Sequence, residues 1–112
     1  MKKDDLVFVR HILDSMNRID SFSKGVSKKE FLANEEKQSA IVRQIEIIGE
    51  AVKNLSEHFR KRHPNIPWKY IAGTRDKIIH HYFGIDLDAI WDIVKWDLPK
   101  LKRDVINILK IE

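Results

Sequence analysis

The chain has 112 residues, a net charge of +4 and a calculated pI of about 9.4, and it carries 43% hydrophobic and 34% charged residues with only four glycines and three prolines. That size predicts one domain, 1–112, without a linker, and the balance of charge permits a polyanionic partner without demanding one. Zero cysteines exclude disulfides, thiolate zinc sites and a cysteine nucleophile and fit a reducing, cytoplasmic setting; with no apolar run near the roughly 18 residues of a membrane span and no signal-peptide pattern in MKKDDLVFVRHIL, the chain reads as soluble and unprocessed.

From Leu6 the apolar residues Val9, Leu13, Met16 and Ile19 recur at steps of three or four, which predicts a first helix ending near Ser23, Lys24 and Gly25. Ser27 followed by Glu30 has the form of a capping box and predicts a second helical stretch through Phe31 and Leu32, with Asn34 as a restart point. Ile41, Ile45, Ile48, Val52, Leu55 and Phe59 alternate steps of four and three and predict a long amphipathic helix. Pro64 ends it, while Pro67 suits the first turn of the next helix, Trp68 to about His81. Gly84 with Asp86 or Asp88 marks a stop and a cap. Leu87, Trp91, Val94, Leu98, Leu101, Val105 and Ile108 then describe a last helix, with a kink or break expected around Trp96 to Leu98 because of Pro99. No alternating pattern suggests a sheet, so the expected fold is all-α, an antiparallel bundle of four to five helices.

No Gly-rich phosphate loop, HExxH or nucleophile elbow is present, and chemistry-bearing residues concentrate in YIAGTRDKIIHHYFG at 70–84. On a regular helix Ile71, Arg75, Ile78 and Tyr82 share one stripe, so Arg75 is expected either to pair with a carboxylate in the bundle or to lie in a wet crevice or subunit interface. Asp76 and His80 stand one turn apart, about 40° around the helix, and form either an acid–base pair or an ordinary helical charge pair. Arg75 and His80 diverge by about 140°, so a local unwinding or a second copy of the chain is needed to bring both to one atom. His81 is expected at the surface or capping the helix end, Tyr82 partly buried, and His11, His58 and His63 at the surface without metal-ligand spacing. Trp68, Trp91 and Trp96 read as core or interface residues. The basic run Arg60, Lys61, Arg62 is either a solvated helix end or a phosphate contact.

The arrangement Arg75-x4-His80-x-Tyr82 resembles the motif of the HepT-like toxins of the HEPN superfamily. QIEIIGEAVKNLSEHFR at 44–60, IPWKYIAGTRDKIIHHYF at 66–83 and DLDAIWDIVKWDLPKLK at 86–102 are similar to that family's segments in the same order, so the resemblance spans nearly the whole chain. Asp76 occupies the position after the arginine where HEPN nucleases usually carry a polar residue. The resemblance implies a HEPN-like fold and a homodimer whose motif helices face each other across a cleft. It implies metal-independent, cofactor-free RNA cleavage by 2′-OH attack to a 2′,3′-cyclic phosphate, with His80 moving protons, Arg75 stabilising the phosphorane and Asp76 tuning His80. Lys77, Arg60, Lys61 and Arg62 are then candidate RNA contacts, with tRNA the substrate the resemblance points to.

The same resemblance implies the toxin of a type VII-like toxin–antitoxin pair, neutralised when a minimal nucleotidyltransferase antitoxin transfers AMP to Tyr82. The alternative is a non-catalytic HEPN module that complexes such a nucleotidyltransferase; a plain structural bundle ranks last, because it gives Arg75 no reason to sit in an apolar stripe. The apolar and aromatic surface near Trp68, Tyr82 and Trp91 is expected to help bury a subunit or partner interface.

Overall fold

The computed structural model describes residues 3–80 and 84–111. Helix α1 (Lys3–Ser23) buries Val9, Ile12, Met16 and Ile19 completely or nearly so, because steps of three and four stack them on one face. It ends where Gly25 takes a φ of +72°, a left-handed turn that costs other residues strain. The predicted capping box opens α2 (Lys28–Leu32): Ser27 Oγ accepts from the Glu30 N–H and Glu30 Oε1 from the Ser27 N–H, each at 3.1 Å. These bonds favour the ionised carboxyl, first through the Ser27 backbone and then its hydroxyl, and hold Glu30 below the usual glutamate value.

Asn34 restarts the chain as α3 (Glu35–Asn54), its Oδ1 accepting from the Lys37 N–H. Helix α3 runs antiparallel to α1. Lys37 Nζ at its start donates to the Phe22 carbonyl at the end of α1, and Ser56 beyond its C-terminus reaches Asp5 at the start of α1. Ile41, Ile45, Ile48 and Val52 line the buried face of α3.

The long helix expected through Phe59 is in fact two. Helix α3 stops at Asn54, and an extended Ser56 (φ −65°, ψ 152°) caps α4 (Glu57–Arg62), its Oγ accepting from the Phe59 N–H. The cause is Asp5. Its carboxylate, only 2% exposed, accepts the Ser56 N–H and the Ser56 hydroxyl, both at 2.8 Å. A helical Ser56 would direct that N–H to its own helix and leave a buried carboxylate short of a donor. Phe59 nevertheless stays in the core, its ring centroid 5.9 Å from that of Trp68 and 4.7 Å from that of His63. His63 is therefore half-buried and not a surface residue as expected, and its carbonyl accepts the Trp68 indole N–H at 3.0 Å. His11 and His58 are exposed.

The helix expected from Trp68 to His81 is also interrupted. Helix α5 (Trp68–Ala72) gives way at Gly73 to α6 (Thr74–Ile78), and Ile79–His80 (β1) then pairs antiparallel with Gly84–Ile85 (β2). Glycine is a weak helix former, and beyond Ile78 its carbonyl bonds the Asp86 N–H at 2.7 Å, so the backbone finds partners across the pair in place of another helical turn. These four residues are the only strand among the described residues of an all-α fold.

A continuous rod completes the chain. Asp86 caps α7 (Leu87–Asp92) by accepting from the Ala89 N–H at 3.0 Å, and a π-helical turn (Ile93–Asp97) leads into α8 (Leu98–Ile111). The irregularity expected around Trp96 to Leu98 takes the form of this π turn and not of a break: the Leu98 N–H bonds the Ile93 carbonyl five residues back, and the widened turn gives room where the Pro99 ring crowds the preceding turn. Ile90, Ile93, Val94, Leu98, Leu101, Val105 and Ile108 face the core. Trp91 packs on Phe31 with centroids 5.5 Å apart, Trp68 lies inside the core, and Trp96 is 74% exposed.

Replacing Asp5 with Ala leaves the Ser56 donors facing an apolar gap, so a loss of about 1–3 kcal/mol of stability is expected, measured as a lowered urea midpoint with an unchanged m-value.

Candidate active site

Helices α5 and α6 have five residues each, too few to be stable alone, so the rest of the fold must hold them. Trp68, Ile71, Thr74 and Ile78 supply the buried anchors. Gly49 on α3 lets the two backbones come close: a Cβ there would stand in van der Waals contact, 3.4 Å from the Ala72 carbonyl oxygen and 3.7 Å from that of Ile71, so a side chain branching beyond Cβ would press on the α5–α6 backbone. Thr74 Oγ1 donates to the Tyr70 carbonyl at 3.1 Å, and the Asp76 N–H bonds the Gly73 carbonyl, so α6 begins afresh after α5 with a changed direction of its side chains.

This restart moves the stripe predicted for Arg75. Thr74 takes the buried position, while Arg75, Asp76 and Lys77 are exposed. Arg75 lies in a wet groove of about 400 Å³ between α1, α3 and the α5–α6 turn, lined among others by His11, Arg43, Glu46, Glu50 and Asp76. It meets a carboxylate there: Arg75 Nε stands 3.6 Å from Glu46 Oε2, with the two side chains 55% and 30% exposed. The arginine is thus paired at a groove and not within the bundle.

Lys77 points away from this groove. Its Nζ donates to the Tyr70 hydroxyl at 2.7 Å and sits 4.8 Å from the Tyr70 ring centroid, and that hydroxyl donates to Asp97 Oδ2 at 2.8 Å. The Tyr70 hydroxyl bond holds the ammonium above the usual lysine value, opposed by desolvation and aided by the weaker attractions of Asp97 and Asp92. A raised lysine value means that this contribution is complete at neutral pH and is lost only as pH climbs through the raised value. Lys61 pairs with Glu57 at 3.1 Å, and none of Arg60, Lys61 and Arg62 lines the Arg75 groove.

His80 leaves the helix altogether. Its backbone belongs to β1, in register with Gly84, so neither the one-turn relation to Asp76 nor the 140° divergence from Arg75 applies. Of the two alternatives, a local unwinding or a second copy of the chain, the backbone shows the helix ending before His80. The His80 side chain, and His81 and Tyr82 entirely, lie outside the described residues. Sequence reasoning missed Glu46 and Gly49, although both fall within the segment at 44–60; Arg43, Glu46, Glu50 and Lys53 recur at steps of three and four, a polar stripe whose partner no local pattern reveals.

The fold is thus an all-α bundle that presents an arginine and an aspartate from a short helix over a charged groove. The family model described as Ribonuclease HepT-like matches residues 12–108. A "Probable ribonuclease HepT" of Thermococcus cleftensis is 40% identical over 102 residues, covering 91% of this chain and 93% of that protein. A "Putative RNase" of Methanocaldococcus jannaschii is 45% identical over 109 residues, covering 97% of this chain and 90% of the relative. The chain spans only 50% of another relative from that organism, named "Gamma-glutamylcyclotransferase and putative RNase", to which it is 43% identical over 110 residues. No solved structure matches the chain. The chain belongs to the HepT-like ribonuclease family. Among the described residues no helix is long and apolar enough to cross a membrane.

Two outcomes follow from this geometry. Gly49→Val should overpack the contact with the Ala72 carbonyl, costing about 1–3 kcal/mol in denaturant titration and lifting α5–α6 from α3. Tyr70→Phe should return Lys77 toward the ordinary lysine value, seen by NMR titration of its Nζ, and bring alkaline loss of stability to lower pH.

Proposed function

We propose that this chain is a metal-independent endoribonuclease acting as a homodimer, with Arg75, Asp76 and His80 as its catalytic residues. The observation that carries the reading is the placement of Arg75 and Asp76 together on one groove, with the helix ending at Ile78 so that His80 is freed from the angular register of α6. The relatives named as ribonucleases support the reaction class.

In the reaction, the ribose 2′-oxygen attacks the adjacent phosphorus and gives up its proton, the bond from phosphorus to the 5′-oxygen breaks, and the leaving oxygen takes a proton. The products are a 2′,3′-cyclic phosphate and a 5′-hydroxyl. His80 moves these protons as base or acid, and Asp76 tunes it. Arg75 stabilises the charge that builds on the phosphorane oxygens, where a planar guanidinium offers paired donors. A homodimer gives the cleft two copies of each group, so one imidazole can serve as base while the other serves as acid.

The biological setting of this reading is a cytoplasmic toxin that cleaves tRNA and is paired with a minimal nucleotidyltransferase antitoxin. AMP transfer to Tyr82 would place a bulky anionic phosphate beside the cleft, where it obstructs RNA and competes for Arg75. ATP is then the partner enzyme's substrate and not a cofactor of this chain.

Purified unmodified protein incubated with total tRNA in EDTA should yield discrete fragments bearing 2′,3′-cyclic ends, and Arg75→Ala or His80→Ala should lower the rate by at least about 100-fold. Intact tRNA with a folded dimer, or undiminished cutting by either folded variant, would overturn the assignment. In the first case the non-catalytic module that binds a nucleotidyltransferase becomes the better reading.

A further inference from the structure

We infer that Glu46 is a positioning residue for Arg75, holding the guanidinium by its Nε edge so that the two terminal nitrogens are left to meet the scissile phosphate. The inference rests on the ribonuclease reading above and adds to it the group that aims the arginine.

Arginine presents five N–H donors in a flat fork, and the edge formed by its two terminal nitrogens is the one that matches two phosphate oxygens. The closest approach of Glu46 is to Nε, on the side of the fork, at 3.6 Å. That separation is longer than a direct hydrogen bond, so the carboxylate guides the guanidinium electrostatically without saturating it. A phosphate oxygen arriving at ordinary hydrogen-bond distance therefore engages the fork without first breaking a tight contact.

The two ends of the pair differ in how firmly they are held. Glu46 stands in the middle of the 20-residue α3, between the buried Ile45 and Ile48, so its backbone is fixed by the core. Arg75 stands on the five-residue α6, and its side chain is 55% exposed. Of the other charges around the groove, Glu50 pairs with Lys53 at 3.8 Å, Arg43 repeats the positive charge one turn before Glu46, and Asp76 neighbours Arg75 in sequence on the same short helix. Glu46 is thus the acid that joins the exposed arginine to a long, core-packed helix. A freely rotating Arg75 would have to be ordered at each encounter with substrate, and misplacement of a catalytic group by about 1 Å can cost two orders of magnitude in rate.

The test is steady-state cleavage of total tRNA by Glu46→Ala and Glu46→Gln, each in the Arg75 and the Arg75→Lys backgrounds. It is combined with binding of a fully 2′-O-methylated RNA, which cannot be cut. Expected results are a kcat for Glu46→Ala lowered by about tenfold or more with KM and binding changed less than about threefold, and a comparable loss for Glu46→Gln, whose neutral amide cannot guide the guanidinium by charge. In the Arg75→Lys background, where no Nε edge exists, Glu46→Ala should change the residual rate by less than about twofold. Parental kcat in folded Glu46→Ala, or an equal fold-loss in both backgrounds, would overturn the inference. Should the Ala variant lose its helical circular dichroism, the near-isosteric Gln variant decides by the same criteria. Arg75→Ala separates the two readings: if it cuts like the parent, the ribonuclease site itself is misplaced, whereas an inert Arg75→Ala beside a fully active Glu46→Ala removes only the role given to Glu46.

Discussion

A five-residue helix has no stability of its own, and the candidate site of this protein is built on one. Everything about Arg75 therefore depends on what α6 leans against. Gly49 lets the α5–α6 turn settle on α3 at backbone distance, Thr74 and Ile78 plug it into the core, and Tyr70 ties its outer side to the C-terminal rod through Asp97 and Lys77. The site inherits its rigidity from α3 and the rod. The cost of such an arrangement is that a disturbance away from the groove, at Asp97, is transmitted to the arginine.

Periodicity located the helices well and their ends poorly. The steps through Ile41, Ile45, Ile48, Val52, Leu55 and Phe59 continue without a fault across the break at Ser56, because α4 returns Phe59 to the same core that α3 serves. A count of apolar spacing registers burial, and burial is continuous there while the backbone is not. The deciding group, Asp5, lies 51 residues away in sequence, beyond any local pattern. By contrast, the Ser27 and Glu30 box at α2 involves only neighbours, and it forms as the sequence predicts. The helix expected from Trp68 to about His81 ends at Ile78 because of the backbone bond from Asp86 to Ile78, a partner eight residues on that helical periodicity does not register.

The candidate site divides along the same line. Arg75 and Asp76 stand out in sequence because charged residues in an otherwise apolar stretch are costly unless they have a purpose, and the structure brings both to one groove. Glu46 does not stand out, since an acid on the polar stripe of an amphipathic helix is the commonest of features; its meaning comes wholly from what packs opposite. Lys77 shows the converse. It adjoins Arg75 and Asp76 in sequence, yet one step around α6 directs it to a tyrosine and an aspartate on the other side.

The π turn in the C-terminal rod bears on arithmetic more than on shape. Ile90 and Leu98 both face the core, and eight residues of uniform α-helix would leave them about 80° out of line. A turn that spans five residues where an α-helix spans four absorbs the surplus, and the two halves of the rod come back into phase. In such a helix one residue is supernumerary to the apolar stripe. Lys95, Trp96 and Asp97, three successive exposed residues between the buried Val94 and Leu98, are where that surplus is carried.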